Sequence, residues 1–262
     1  MQSIKKKRWL FLLLTIATCY SYARTETSLD IYLLIGQSNM AGRGIITEQY
    51  AVEGDPRVLM LNQENKWVPA KHPLHFDKPS VAGVGPGLSF GMEMAKANPS
   101  RKIGLVPCAV GGSPIDMWKE GALYTSTNTR PYDDMVLRIR EAMKSGSVKG
   151  IIWLQGESDA KPGLVDAYLP KLKALVEKLR VLLNEPALPF VAGELGRFRE
   201  EYNGINTELD KLPAQVPYTR TVTSEGLAHK GDRTHFDAPS AELYGLRFAE
   251  QMKLLQKEGS KK

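Results

Sequence analysis

The sequence predicts an α/β fold, a three-layer α/β/α sandwich with a central, mainly parallel sheet of five strands. Two observations predict this fold. The chain contains short, continuous apolar runs, and longer amphipathic segments alternate with them. Runs that are apolar on both faces are typical of buried parallel strands, and the intervening segments have the pattern of connecting helices. With no linker or repeat in its 262 residues, the chain fits a single domain, expected at residues 24–262.

The five predicted strands follow one another at similar intervals. They are Ile31–Ile35, Val58–Leu61, Ile103–Val106, Ile151–Leu154 and Phe190–Gly193. The carboxyl ends of parallel strands meet at one edge of a sheet, and functional groups of such folds gather just beyond that edge. The residues that follow each strand are therefore the first place to look for chemistry.

Four amphipathic segments are predicted as helices. They are Leu88–Ala97, Asp134–Lys144, Leu169–Leu183 and about Ser240–Gln256. In the third, leucine and valine recur at steps of three and four residues, with lysine, glutamate and arginine between them, which is the pattern of a helix with one apolar face.

The first 23 residues have the pattern of a secretory signal peptide. A basic patch at residues 5–8 precedes an apolar run at residues 9–17, and Ser21 and Ala23 are small residues at the positions that a signal peptidase reads. Cleavage after Ala23 would make the protein secreted or periplasmic. A membrane anchor is the alternative, but the apolar run is shorter than the ~20 residues that cross a bilayer. A lipoprotein signal at Cys19 ranks second because Thr18 before it is larger than usual there.

Loss of residues 1–23 would remove four basic side chains and no acidic one. The mature chain would then carry 31 basic and 29 acidic side chains, a net charge of +2. No basic stripe remains that would indicate nucleic acid as a partner, and no stable membrane insertion is expected after cleavage. Cys108 would be left without a disulfide partner, and it ends an apolar run, so it is predicted to be a buried small side chain.

A serine and a histidine stand at informative positions. Ser38 follows the first strand on a turn led by Gly36, where its hydroxyl can face a crevice. Serine attacks an ester only when a base takes its proton, and the base needs an acceptor on its other nitrogen. Asp232 and His235, three residues apart before the last helix, can supply both. His72 and His75 lie in a proline-containing loop and are interpreted as surface residues.

Two further segments end strands of the same sheet. Gly111-Gly112-Ser113 lets backbone N–H groups approach the negative oxygen of a tetrahedral intermediate. Gln155 can donate an amide N–H to that oxygen. Glu157 could orient His235, fix Gln155 or cap the next helix. Each signal is modest alone, but together they indicate a hydrolytic site.

Four segments of this sequence resemble the sialate O-acetylesterase and acetylxylan esterase group, carbohydrate esterase family six of the SGNH hydrolases. They are Gly36-Gln37-Ser38-Asn39-Met40, Gly111-Gly112-Ser113, Trp153-Leu154-Gln155-Gly156-Glu157 and Asp232-x-x-His235-Phe236. Similar order and spacing extend from about Leu29 to Met252.

The resemblance implies a flavodoxin-like fold with no metal or cofactor. It implies Ser38 as nucleophile, His235 as base, and an oxyanion hole formed by the N–H groups of Ser38 and Gly112 with the Gln155 side chain. For the acid we favour Asp232, because it shares the histidine's loop, over Glu157.

The implied activity is hydrolysis of O-acetyl esters on carbohydrates, such as acetylated xylan or O-acetylated sialic acid. Asn39, Arg43 and Trp118 are candidate substrate contacts. The Trp118 ring could stack on a sugar or belong to the core. The alternatives are a lipid esterase or thioesterase, which needs an extended apolar groove, and a non-catalytic carbohydrate-binding relative, which would be expected to lose Ser38 or His235.

Overall fold

The computed structural model describes residues 28–259. The predicted signal peptide at residues 1–23, including Cys19, lies outside the described residues. Within residues 28–259, no helix combines the length and the hydropathy needed to cross a bilayer.

The described residues form one seven-stranded sheet. Its strands are β1 (Leu29–Gly36), β2 (Val58–Leu61), β3 (Trp67–Pro69), β4 (Ile103–Pro107), β5 (Gly146–Leu154), β6 (Phe190–Gly193) and β7 (Thr219–Val222). They lie in the order β3-β2-β4-β1-β5-β6-β7, and only the β2–β3 pair is antiparallel. The mainly parallel sheet is confirmed, but the predicted number of five strands is wrong.

The two strands that were not predicted, β3 and β7, are the first and last strands in the order of the sheet. β3 is three residues long, half-buried to exposed, and ends in a proline. β7 reads Thr-Arg-Thr-Val, and only its first and last residues are buried. An edge strand covers little of the core, so neither segment carries the continuous apolar run from which the inner strands were predicted.

Helices cover both faces of the sheet, which confirms the three-layer architecture. The four predicted helices are α2 (Gly87–Ala97), α3 (Pro131–Ala142), α4 (Tyr168–Leu183) and α7 (Ala238–Gly259), and three short ones join them: α1 (Ser38–Ala41), α5 (Asn203–Asp210) and α6 (Leu212–Gln215). Helices α2 and α7 pack on one face, and α3, α4 and α5 pack on the other. Helix α3 begins earlier than predicted because proline is favourable at the first helical position.

Strand β1 lies at the centre and divides the core in two. Ile31, Leu33 and Ile35 point into the apolar cluster under α3 and α4, while Tyr32 and Leu34 point into the cluster under α2 and α7. Successive side chains of a strand alternate between faces, so a strand covered on both sides must be apolar throughout. The carboxyl end of β1 is thereby held in the middle of the sheet edge.

His72 and His75 are buried, so their interpretation as surface residues is wrong. They are 6% and 3% exposed, and burial lowers the pKa of His72 to about 4 and that of His75 to about 3. The neutral His75 ring accepts a hydrogen bond from the backbone N–H of Ala109 at 3.2 Å. The polar, proline-containing segment that connects β3 to α2 buries both rings, which sequence polarity alone does not reveal. Cys108, by contrast, is buried as predicted.

Candidate active site

Ser38 stands where β1 ends and α1 begins. Gly36 has φ of 137°, and a Cβ built on it would lie 2.1 Å from the carbonyl oxygen of Leu154. Only glycine tolerates this backbone and this close approach. The N–H of Gln37 donates to the same carbonyl at 2.9 Å, so the turn that presents Ser38 is tied to the end of β5.

His235 lies within hydrogen-bond distance of both Ser38 and Asp232. His235 Nε2 is 3.0 Å from Ser38 Oγ, and His235 Nδ1 is 2.7 Å from Asp232 Oδ2. The other carboxylate oxygen, Oδ1, accepts the backbone N–H groups of Thr234 and His235 at 2.9 and 2.8 Å. Arg233 has a positive φ of 52°, which makes the tight turn that folds the carboxylate back onto the histidine. This chain of contacts has the geometry of a serine nucleophile, a base and an orienting acid.

The surroundings favour an ionised Asp232 and a neutral His235. Burial alone would raise the pKa of Asp232, but hydrogen bonds from the His235 backbone, the His235 ring and the Thr234 backbone hold it well below its usual range. Burial lowers the pKa of His235 below its usual value, and the neighbouring Asp232 carboxylate only partly offsets this effect. A neutral imidazole can accept a proton, and a carboxylate beside it stabilises the imidazolium that results.

The backbone N–H groups of Ser38 and Gly112 are available to bind an anion. Gly112 has φ of 82°, and the loop that carries it is tied to β1 by a hydrogen bond from the Val110 N–H to the Gly36 carbonyl at 3.0 Å. Ser38 is the first residue of α1, and N–H groups in the first turn of a helix have no partner within that helix. Among residues 28–259, neither N–H donates to a protein acceptor. They can therefore serve as oxyanion donors.

Asn39 joins the serine turn to the histidine loop. Its Nδ2 donates to the Thr234 carbonyl at 3.0 Å, and its Oδ1 accepts the Phe236 N–H at 3.1 Å. These contacts bracket His235 in sequence and hold it against Ser38. Asn39 is 4% exposed, so its visible role is positioning rather than the predicted contact with substrate.

Glu157 is half-buried and lies behind Asn39. Its Oε1 accepts Asn39 Nδ2 at 2.5 Å, while Oε2 has no protein partner among the described residues. Burial raises the pKa of Glu157 to about 7, although the hydrogen bond from Asn39 lowers it. Glu157 therefore reaches His235 only through Asn39 and the backbone, whereas Asp232 touches the ring directly. Within residues 28–259, no three His, Cys, Asp or Glu side chains are grouped as metal ligands.

Comparison with known proteins assigns the chain to a family. Residues 28–254 match the family model described as carbohydrate esterase, sialic acid-specific acetylesterase. The chain belongs to this family of carbohydrate esterases. The match spans the whole described sheet and all four segments of the site.

Individual relatives agree with this assignment. The chain is similar to a probable carbohydrate esterase of Arabidopsis thaliana, with 32% identity over 247 residues, which are 84% of this chain and 89% of the relative. The solved structure of an Arabidopsis thaliana protein has a TM-score of 0.77 at 29% identity and covers 87% of this chain and 98% of its own. The structure of NanS shares the fold, with a TM-score of 0.70 at 18% identity over 88% of this chain and 98% of its own.

In this carbohydrate esterase, Gln155 does not point at the predicted oxyanion. The side chain is fully buried, and its Nε2 donates to Asp159 Oδ2 at 2.5 Å and to Gln37 Oε1 and the Ser113 carbonyl, both at 3.2 Å. An amide with two hydrogens already shared among three acceptors has none left for substrate. The prediction that Gln155 donates to the oxyanion is therefore wrong. Its contacts instead fix the loops around Ser38 and Gly112.

Trp118 belongs to the core of the esterase. It is 3% exposed, its Nε1 donates to Ser113 Oγ at 3.2 Å, and its ring meets Trp153 edge to face at 5.3 Å. A ring without an exposed face cannot stack on a sugar. The interpretation of Trp118 as a sugar contact is wrong, and the alternative of a core residue is confirmed.

Arg43 is also buried, and it contacts the Gly111 loop through Asp77. It is 6% exposed, and its Nη2 forms an ion pair with Asp77 Oδ2 at 2.7 Å. The same oxygen accepts the Gly111 N–H at 2.7 Å. Arg43 therefore acts on the glycine loop through Asp77, rather than lining the substrate pocket as predicted.

Sequence reasoning missed two carboxylates that hold the site together. Asp77 lies in the loop before α2, far from any strand end and without a recognisable spacing to Arg43 or Gly111. Asp159 lies four residues after Gln155, and that interval was a usable signal. Its carboxylate accepts both Gln155 Nε2 and the Ile115 N–H, the latter at 3.0 Å.

Proposed function

We propose that this carbohydrate esterase hydrolyses O-acetyl esters of carbohydrates through an acetyl-serine intermediate on Ser38. One observation carries the proposal: Ser38 Oγ lies 3.0 Å from His235 Nε2, whose other ring nitrogen lies 2.7 Å from the Asp232 carboxylate. Membership of the family and the name of the Arabidopsis thaliana relative support a carbohydrate as the substrate.

The first step transfers the acetyl group to the protein. Ser38 Oγ attacks the acetyl carbonyl carbon while His235 Nε2 takes the hydroxyl proton. The carbonyl oxygen becomes an anion and binds the N–H groups of Ser38 and Gly112. When the tetrahedral intermediate collapses, the bond between the acetyl carbon and the sugar oxygen breaks, and His235 returns its proton to that oxygen.

The second step restores the enzyme. Water attacks the acetyl-serine carbonyl while His235 accepts one of its protons, and the same two N–H groups bind the oxyanion. Collapse breaks the bond to Ser38 Oγ, which regains the proton from His235, and acetate leaves. Asp232 stays ionised throughout and stabilises the imidazolium of each step.

The test is acetate release from acetylated xylan and from O-acetylated sialic acid. We expect the wild type to release acetate from at least one of them and Ser38→Ala to lose that activity by at least about 10³-fold. Ser100→Ala is the matched control, because Ser100 is exposed and precedes β4, at the sheet edge opposite the site. Acetate release that survives in Ser38→Ala would contradict the mechanism. A fluorophosphonate probe, expected to label the wild type but not Ser38→Ala, reports the nucleophile independently of the sugar.

We also propose that the esterase is exported and works outside the cytoplasm. The support is the signal-like pattern of residues 1–23, whose cleavage is expected after Ala23. Mass spectrometry of the protein recovered after expression in its host would report the mature N-terminus. A protein that keeps residues 1–23, or that carries lipid at Cys19, would contradict cleavage after Ala23.

A further inference from the structure

Tyr124 lies on a short loop, residues 121–130, and its side chain reaches Gly112. The Tyr124 N–H donates to the Thr129 carbonyl at 2.8 Å, and the Thr129 N–H returns a bond of 3.3 Å to the Tyr124 carbonyl. The hydroxyls of Thr127 and Thr129 are 2.7 Å apart, and Asn128 adopts a positive φ of 52° inside the turn. These contacts fix the backbone of Tyr124 and therefore the direction from which its side chain leaves the loop.

The phenol hydroxyl of Tyr124 lies beside Gly112. A Cβ built on Gly112 would lie 2.9 Å from that hydroxyl, and no other atom outside Gly112 and its two chain neighbours would lie within 4 Å of it. The space in front of Gly112 is therefore open, with the Tyr124 hydroxyl at its edge. Because the Gly112 loop is tied to the end of β1 through Val110 and Gly36, this space adjoins the turn that carries Ser38.

The hydroxyl is free to bind something else. Among residues 28–259, the Tyr124 hydroxyl has no hydrogen-bond partner, and the residue is half-buried. The loop lies at the surface, since the neighbouring Leu123 is 41% exposed. A partly exposed tyrosine with an apolar ring and an unused polar tip suits a sugar, which offers both a C–H face and hydroxyl groups.

We propose that Tyr124 is a specificity-determining residue that binds the carbohydrate part of the ester, with its ring against the sugar and its hydroxyl bonded to a sugar oxygen. The inference rests on the proposed function, since it assigns a binding role within that site. In this arrangement the acetyl carbonyl oxygen faces the N–H groups of Ser38 and Gly112, and the sugar lies on the side of Gly112 where the Tyr124 hydroxyl stands. Tyr124 occupies the role that the buried Trp118 cannot fill.

The experiment compares two substrates that share the acetyl group and differ in the alcohol. Wild type, Tyr124→Phe and Tyr124→Ala are assayed on an acetylated xylo-oligosaccharide and on p-nitrophenyl acetate, which has no sugar. We expect Tyr124→Phe to lose about 5–10-fold in kcat/KM on the sugar ester, mainly through KM, because one hydrogen bond is removed. Tyr124→Ala should lose more on the sugar ester, and both variants should keep wild-type activity on p-nitrophenyl acetate. Leu123→Ala, the adjacent exposed position, controls for disturbance of the loop, and thermal melting verifies folding.

The outcomes separate the two proposals. Loss confined to the sugar ester supports Tyr124 as a sugar contact. Equal loss on both esters overturns it, because the hydroxyl would then act at the acetyl group, and so does unchanged activity of both variants on both substrates. A wild type that cleaves p-nitrophenyl acetate but no acetylated carbohydrate would overturn the proposed function and this inference with it.

Discussion

The loop at residues 232–235 and the segment at residues 155–159 bring carboxylates to the same sheet edge under opposite conditions. Asp232 is partly exposed, and both of its oxygens accept hydrogen bonds, so its pKa is held well below the usual range. Glu157 is half-buried, its inaccessible Oε2 has no partner among residues 28–259, and its pKa is raised to about 7. A carboxylate must be ionised to stabilise an imidazolium, so only the first loop has the electrostatics of a catalytic acid.

Replacing each carboxylate by its amide tests which of the two acts on His235. Asp232→Asn is expected to lower kcat/KM for acetate release by about 10³–10⁴-fold, because the histidine loses its anionic partner and its preferred tautomer. Glu157→Gln keeps an oxygen that can accept from Asn39, and it is expected to lose less than about tenfold. Steady-state kinetics of both variants on the same acetylated sugar give the two values.

The reverse result would move the acid to the other region. If Glu157→Gln abolished turnover while Asp232→Asn stayed near wild type, Glu157 would have to act on His235 in a geometry different from the one described. Thermal melting of both variants is needed, because a misfolded Glu157→Gln would imitate that result.

A buried ion pair, Arg43–Asp77, supports the loop that carries Gly111 and Gly112. Asp77 and Arg43 have side chains only 1% and 4% exposed, and Asp77 also holds the Gly111 N–H. Asp77→Asn leaves the arginine charge buried without its partner, so we expect a loss of about 3–5 kcal/mol in the free energy of unfolding. The Gly111–Gly112 loop should loosen as well, and this change is expected to lower kcat more than it raises KM.

The matched control for Asp77→Asn is Asp55→Asn. Asp55 pairs with Arg57, but their side chains are 20% and 30% exposed, so the change is expected to cost at most about 1 kcal/mol. Urea unfolding of the two variants measures both values. Equal destabilisation would mean that burial of the Arg43–Asp77 pair carries no special weight.

Glu157 makes stability depend on pH in a predictable direction. Its pKa rises from about 4.5 to about 7 on folding, so between these values the folded protein keeps a proton that the unfolded chain has lost. The stabilisation is present below about pH 4.5 and is lost as the pH rises through 7, by roughly 3 kcal/mol in total. Glu157→Gln does not titrate, so relative to wild type it should gain about that much between pH 4.5 and 8.

Unfolding free energies at several pH values test the Glu157 prediction. Glu185→Gln, the same change at an exposed glutamate, is the matched control for the substitution itself. Parallel curves for wild type and Glu157→Gln would show that Glu157 is ionised in the folded protein at neutral pH and would weaken the contrast with Asp232.

The two regions also differ in how well sequence predicted them. The Asp232–His235 pair was predictable because its contacts are local: three residues and one positive-φ turn bring the carboxylate to the ring. The inner strands were predictable for a similar reason, since burial on both faces leaves a continuous apolar run. The edge strands β3 and β7 carry no such run.

The orientation of Gln155 was not predictable. Its residue type and position after β5 suited an oxyanion donor, but Asp159, Gln37 and Ser113 together turn the amide inward. Asp77 lies 34 residues from both Arg43 and Gly111, so nothing local marks their contact. Polar networks that span several loops depend on tertiary geometry, which pattern and spacing do not contain.

The smallest predicted effect concerns Trp118, which separates core packing from substrate binding. Trp118→Phe removes the hydrogen bond to Ser113 Oγ and part of the edge-to-face contact with Trp153, so we expect a loss of about 1–2 kcal/mol in the free energy of unfolding. KM for the acetylated sugar should stay within about twofold of wild type, since the buried ring has no face that a sugar can contact. Urea unfolding and steady-state kinetics on one preparation give both numbers. A several-fold rise in KM without loss of stability would restore Trp118 as a sugar contact and remove the reason for assigning that role to Tyr124.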